Sequence, residues 1–170
     1  MKNYRLKAFC KINLSLRVLK KNKNGYHSLQ SFVTFGKLYD DIYIKKCHGP
    51  KDKIVFLGKF KSLIDTKSNT VTKLLKLLRD KHIIKQKAFN IIVKKNIPHG
   101  SGLGGASSDA AALLNFFKSK INTKMKKNDI YKLANKIGSD VSLCLEQKNS
   151  LITGKKFNII RLNSRFKFNI

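Results

Sequence analysis

The chain has 170 residues, the size of one domain with a single main core. Apolar residues make up 42%, with 11 Phe and 5 Tyr, which excludes a disordered chain; 37 Lys and Arg against 9 Asp and Glu give a net charge of +28, which attracts nucleotides, phosphates or nucleic acid. No stretch approaches the ~20 apolar residues that cross a bilayer, Lys7, Lys11 and Asn13 interrupt any signal-peptide core, and Cys10, Cys47 and Cys144 form no CxxC pair, so the reading is a cytoplasmic protein without disulfides.

Residues 4–19 read as a half-buried strand, with Ile12, Leu14, Leu16 and Val18 alternating against Asn13, Ser15 and Arg17. The polar stretch that follows ends in Asn24-Gly25, a dipeptide suited to the positive φ angles of a tight turn, and 29–35 and 42–46 continue as two strands. A short strand is expected over 54–57, and Ser68 or Asn69 caps a helix whose Val71, Leu74, Leu75 and Leu78 share one face. Residues 88–93 form a strand that runs into Lys94, Lys95 and a loop at Pro98. Beyond the loop Ala110, Leu113, Leu114 and Phe117 recur at helical spacing. A helix over 128–137 ends at Gly138, in the manner of a left-handed cap, and 141–145, 150–153 and 157–162 are expected as strands. Residues 165–170 alternate like a strand and stop without a turn, as if a further domain began there.

The segment Pro98-His-Gly-Ser-Gly-Leu-Gly-Gly-Ala-Ser-Ser-Asp carries the most chemistry, because Gly100, Gly102, Gly104 and Gly105 fall between a strand and a helix. Glycines let the backbone approach a polyphosphate closely, while the unpaired N–H groups of a helix N-terminus point at it with the positive end of the dipole. Ser107 and Ser108 add hydroxyls that can meet a phosphate oxygen or Mg2+. The bland alternative is a flexible loop before a serine-capped helix. Gly100, Gly102 and Gly105 also satisfy the GxGxxG dinucleotide pattern, but Asp129 falls within a helix and no βαβ alternation follows. The Walker GxxxxGK[ST] pattern and the protein-kinase segments are absent from the sequence.

At these residues the sequence resembles the GHMP kinases, a family named for galactokinase, homoserine kinase, mevalonate kinase and phosphomevalonate kinase. The shared signature reads here as Pro98, Gly102-Leu103-Gly104, Ser107-Ser108 and Ala110-Ala111. Three further segments, Cys10-Lys11-Ile12-Asn13-Leu14, Gly25-Tyr26-His27-Ser28-Leu29-Gln30 and Ile137-Gly138-Ser139-Asp140-Val141, resemble in order the branch that acts on cytidine diphosphate methylerythritol. The resemblance implies an α+β fold, with a mixed or antiparallel sheet, helices on one side and the glycine-rich loop before a helix. It implies an ATP-binding N-terminal domain over residues 1–162, with 163–170 as the start of a truncated C-terminal domain.

By the same resemblance Asp140 is the base that accepts the proton of the attacking hydroxyl, and Lys11 is the catalytic lysine whose ammonium steadies Asp140 and the transferring group. Asn13, two positions along the strand and so on the same face as Lys11, holds the substrate hydroxyl or Lys11. Tyr26 and His27 correspond to the pair that receives the cytidine end, Lys95 lies near the nucleotide, and Asn69 flanks the adenosine pocket. ATP with Mg2+ and a small-molecule substrate are implied; no membrane association is. The chain departs from the family at Val33, where a Phe is expected, at Ser142 in place of a proline, at Cys10 in place of an alanine, and at Asp109, often Asn, in the first turn of the helix. Two other readings stay open: a different acceptor within the family, and a basic RNA-binding α+β domain without catalysis. The latter is opposed by lysines spread along the whole chain instead of clustered.

Overall fold

The computed structural model describes residues 2–21, 27–49, 51–62, 64–85, 87–121, 123–154 and 158–163. Two long antiparallel strands, β1 (Asn3–Lys21) and β2 (His27–Cys47), form its spine. The Asn24-Gly25 turn expected between them lies outside the described residues, as does the expected strand at 165–170.

The sequence suggests two strands where β2 is one. Residues 36–41 separate the expected strands 29–35 and 42–46, but the register moves from Phe9 opposite Tyr39 to Lys11 opposite Phe35, so the extra residues are taken up as a bulge facing Cys10. A Cβ on Gly36 would lie 2.9 Å from Cys10 Sγ and 3.0 Å from Ile12 Cδ1, so glycine here reflects close packing of the two strands and not a chain reversal.

The second half of β2 pairs antiparallel with β4 (Ala88–Lys94), which is parallel to β3 (Lys53–Leu57). The first half pairs with β5 (Ser150–Gly154), which carries β6 (Asn158–Arg161) at its edge. The sheet is therefore mixed, as expected. Ala8, Ile42, Ile44, Phe89, Ile91 and Val93 alternate onto one face and pack against the apolar sides of α1 (Thr70–Asp80), α2 (Gly105–Lys120) and α3 (Lys127–Ile137). Each of the Ile, Phe and Val side chains among them contributes roughly 1.5–3 kcal/mol on full burial. The other face presents Tyr43, Ile92 and Leu57 to solvent. Leu14, Leu16 and Val18, expected to be half-buried, are exposed on the outer part of β1.

Residues 141–145 are not a strand. Ser139–Cys144 form a short helix, α4, packed against α2 and α3, and Val141 to Leu145 are all buried. Five residues, apolar but for Ser142 and buried throughout, are too few for periodicity to decide between strand and helix. Gly138, the join between α3 and α4, is extended with φ 175°, not left-handed, so the change of direction is made without the expected cap.

Candidate active site

The loop from Pro98 to Gly104 connects β4 to α2. Gly104 closes it as the α2 N-cap with φ +69°, a left-handed conformation that L side chains rarely adopt. The N-terminus of α1 comes to the same place. Asn69 caps it reciprocally with Thr72, and the Thr70 hydroxyl donates to the Ala106 carbonyl at 2.7 Å, tying the two helix starts together. Between them lies a cavity of about 470 Å³, walled by the loop glycines, Ser107, Asn69, Lys73 and Lys95 and floored in part by Phe56 and Ile64. Two helix N-termini and glycine backbone on one cavity make a site for a polyphosphate.

On the other side of Gly104 stands Lys11, 7% exposed, in β1. Its backbone N–H donates to the Leu103 carbonyl at 2.9 Å, its ammonium donates to Asn13 Oδ1 at 2.9 Å, and it pairs with Asp140 at 3.3 Å. A Cβ on Gly104 would lie 2.8 Å from Lys11 Cγ and 3.0 Å from its Cδ and Cε, so the glycine is also the groove in which the lysine stem runs. Asp140 comes from the first turn of α4, with about a third of its side chain open to solvent. The helical form of Ser139–Cys144 matters here, because it is the helix start that turns the carboxylate toward Lys11. Val141, Leu143 and Cys144 fix α4 from below, and burial raises the Cys144 thiol to about 11, leaving it an unreactive packing group.

The expected residues do not all take the same part. Pro98, Gly100, Gly102, Gly104, Gly105 and Ser107 line the cavity, while Leu103 acts through its carbonyl on Lys11. Ser108 does not reach the cavity: it is 3% exposed and its hydroxyl donates to the Phe9 carbonyl at 2.7 Å, stitching α2 to β1. Asn69 lines the cavity with its side-chain amide already engaged, accepting from Val71 and Thr72 N–H and donating to the Asp65 carbonyl. Tyr26 and the His27 side chain lie outside the described residues.

Lys95 lines the cavity too, yet it is 4% exposed and its ammonium is held by the carboxylates of Asp40 and, at 2.6 Å, Asp109. Burial opposes its charge, but Asp109 and Asp40 outweigh that and hold its pKa above the usual lysine value. Asp109 is pushed up to about 7, first by its burial and then, against the pull of Lys95, by the charge of Asp40. It sits in the second turn of α2, not the first, and its carboxylate faces Lys95. Asp40, fully buried, was missed from the sequence, as were Thr70 and Lys73. The available signal was its phase in β2, two and four residues from the inward Ile42 and Ile44.

Residues 69–148 match the family described as GHMP kinases N terminal domain. The chain is 40% identical over its whole length to a 4-diphosphocytidyl-2-C-methyl-D-erythritol kinase of Pelagibacter ubique, covering 59% of that protein. It is 33% identical over 165 residues to the enzyme of the same name from Caldicellulosiruptor saccharolyticus, covering 56% of it. The chain thus spans a little over half the length of the curated relatives it matches. In fold it resembles a crystal structure of 4-(cytidine 5'-diphospho)-2C-methyl-D-erythritol kinase, with TM-score 0.76 and 24% identity over 94% of this chain and 55% of that one. A homoserine kinase from Cytophaga hutchinsonii matches with TM-score 0.67 and 17% identity over 94% of this chain and 51% of its own.

Proposed function

We propose that this chain, whose residues 69–148 match the GHMP kinases N-terminal domain, belongs to that family and is the ATP-binding part of a kinase for 4-(cytidine 5'-diphospho)-2-C-methyl-D-erythritol. The reaction is phosphorylation of the 2-hydroxyl, a step in non-mevalonate isoprenoid precursor synthesis. The observation that carries this reading is the Lys11–Asp140 pair at 3.3 Å, set directly behind the Gly104 end of the loop.

In this reading the loop N–H groups and the starts of α1 and α2 hold the phosphates of ATP. Asp140 takes the proton of the 2-hydroxyl as its oxygen bonds to the γ-phosphorus and the bond from that phosphorus to the β-phosphate oxygen breaks, releasing ADP. Lys11 keeps Asp140 oriented and offsets charge on the transferring group, and Asn13 holds the ammonium in place. Among the described residues no group of three His, Cys, Asp or Glu side chains is placed to hold a metal ion by itself. Mg2+ would be held mainly by the nucleotide's own oxygens, with the Ser107 hydroxyl on the cavity wall able to add a ligand, and would supply charge neutralisation at the phosphates. Among the described residues no helix is long and apolar enough to cross a membrane.

The test is calorimetry of the chain with Mg-ATP and then with cytidine diphosphate methylerythritol, with Gly104→Val as control. Saturable Mg-ATP binding by the wild type and its loss in the variant support the nucleotide cradle, and binding of the second ligand supports the acceptor. A folded chain that binds neither removes both assignments from this chain.

A further inference from the structure

The two ends of the glycine loop meet at one buried carboxylate. Asp40 Oδ1 accepts from the backbone N–H groups of Asn96 at 2.5 Å and Ile97 at 2.8 Å, immediately before Pro98. Its Oδ2 accepts from Lys95, which in turn bonds Asp109 on α2. At the exit of the loop, a Cβ on Gly105 would lie 3.2 Å from the same Oδ2 and 3.1 Å from Ile97 Cβ, so the first turn of α2 rests directly on Asp40 and Ile97. The Asn96 side chain adds a bond to the Tyr39 carbonyl at 2.9 Å, and the Lys95 backbone N–H one to Leu57 at 2.7 Å.

We propose that Asp40 is the positioning residue of the nucleotide cradle, fixing the entry and exit of the Pro98–Gly104 loop against each other so that its N–H groups converge before ligand arrives. This rests on the nucleotide reading above and deepens it. Three features carry it. An unpaired buried carboxylate is expensive, and Asp40 meets that cost by taking donors from the loop entry and from Lys95 together, so it cannot move without releasing both. The glycine at position 105 leaves room for this carboxylate where any side chain would crowd it. Finally, Lys95 is committed to two carboxylates, so its contribution at the cavity wall is to fasten the loop to α2 and not to offer a free charge to phosphate.

The experiment compares Asp40→Ala, Asp40→Asn and a core control, Leu78→Ala in α1, each checked for folding by circular dichroism and thermal melting. Mg-ATP affinity is read by calorimetry, and protection of the Asn96, Ile97 and Gly105 amides by hydrogen exchange. Asn keeps an oxygen for the two N–H groups but turns an NH2 toward Lys95, and Ala keeps neither contact, so about a 20-fold loss of affinity is expected in the Ala variant, restored in part by Asn. Leu78→Ala, for a similar fall in melting temperature, is expected to bind within about twofold of wild type, since it touches only the core. Equal affinity in the Ala variant and wild type, or a loss in the core control matching that of the Ala variant, overturns the proposal. Should the wild type not bind Mg-ATP at all, the nucleotide reading fails on its own. The positioning role is then decided by exchange: loss of protection confined to the loop ends supports it, and unchanged protection overturns it.

Discussion

Gly104→Ala tests whether the loop and Lys11 are one mechanical unit. The new methyl group has two consequences that can be separated. A left-handed residue with a Cβ costs roughly 1–2 kcal/mol wherever it occurs, and φ here is +69°. The methyl also meets the Lys11 stem at 2.8–3.0 Å, closer than carbon atoms approach. The stem is flexible, so relief comes by swinging it out, which breaks the bond to Asn13 at 2.9 Å and the pair with Asp140 at 3.3 Å. Asp140 is about a third exposed, so screening holds that second loss to about 1 kcal/mol. A double-mutant cycle with Lys11→Ala in urea separates the two. Without the Lys11 stem the clash is gone and only the backbone cost remains, so Gly104→Ala should be about 1 kcal/mol less damaging in that background. An identical cost in both backgrounds refutes the coupling of lysine to loop.

Two pH-dependent predictions follow from opposite shifts. Asp109 titrates at about 7 in the folded protein against 3.8 for an ordinary Asp, so the native state holds the extra proton between those values. Its contribution to stability is complete below pH 4 and lost as the pH rises through 7, by up to roughly 4 kcal/mol at about 1.4 per unit. Thermal melts of Asp109→Asn should therefore gain on wild type between pH 4 and 8 and run parallel above; parallel curves throughout would discard this protonation scheme. Glu146 is shifted the other way, to about 2, chiefly by its hydrogen bond from Lys127 and then by that from Tyr131. A depressed carboxylate stabilises above its unfolded value of 4.5 and loses that contribution as the pH falls toward 2. Lys127 is 68% exposed and screened, so the effect is about 1 kcal/mol or less. Acid unfolding of Glu146→Gln should be shallower between pH 5 and 2 than that of wild type, with indistinguishable acid limbs as the contrary result.

Much of the fold was legible because local chemistry and tertiary packing agree. The Asn69 cap, the apolar face of α1 and the strand–glycine–helix passage at Pro98 each need only neighbouring residues to form, and each is present as read. What misled was where a distant partner decides the outcome. Residues 36–41 divide the expected strands until Cys10 and Ile12 are seen lying against Gly36. Val141 to Leu145 could be either element until α2 and α3 close over them. Ser107 and Ser108 are adjacent, but the first turn of α2 sends one to the cavity and the other to the Phe9 carbonyl.

Family resemblance pointed to the glycine loop, Lys11 and Asp140, which the fold brings together, while Asp40 was illegible for the same reason that β2 was divided. If the strand starts at Ile42, Asp40 belongs to a loop and its direction means nothing; once β2 runs through the bulge, the alternation that buries Ile42 and Ile44 buries Asp40 as well. In a chain this basic the carboxylates carry the information. Six of the nine stand in ion pairs among the described residues: Asp40, Asp41, Asp52, Asp109, Asp140 and Glu146. With 37 cations to choose from, scarcity does not explain why Asp40 and Asp109 share Lys95. The sharing is a matter of geometry, since a single ammonium just past the end of β4 is what can join β2, the loop and α2 at one point.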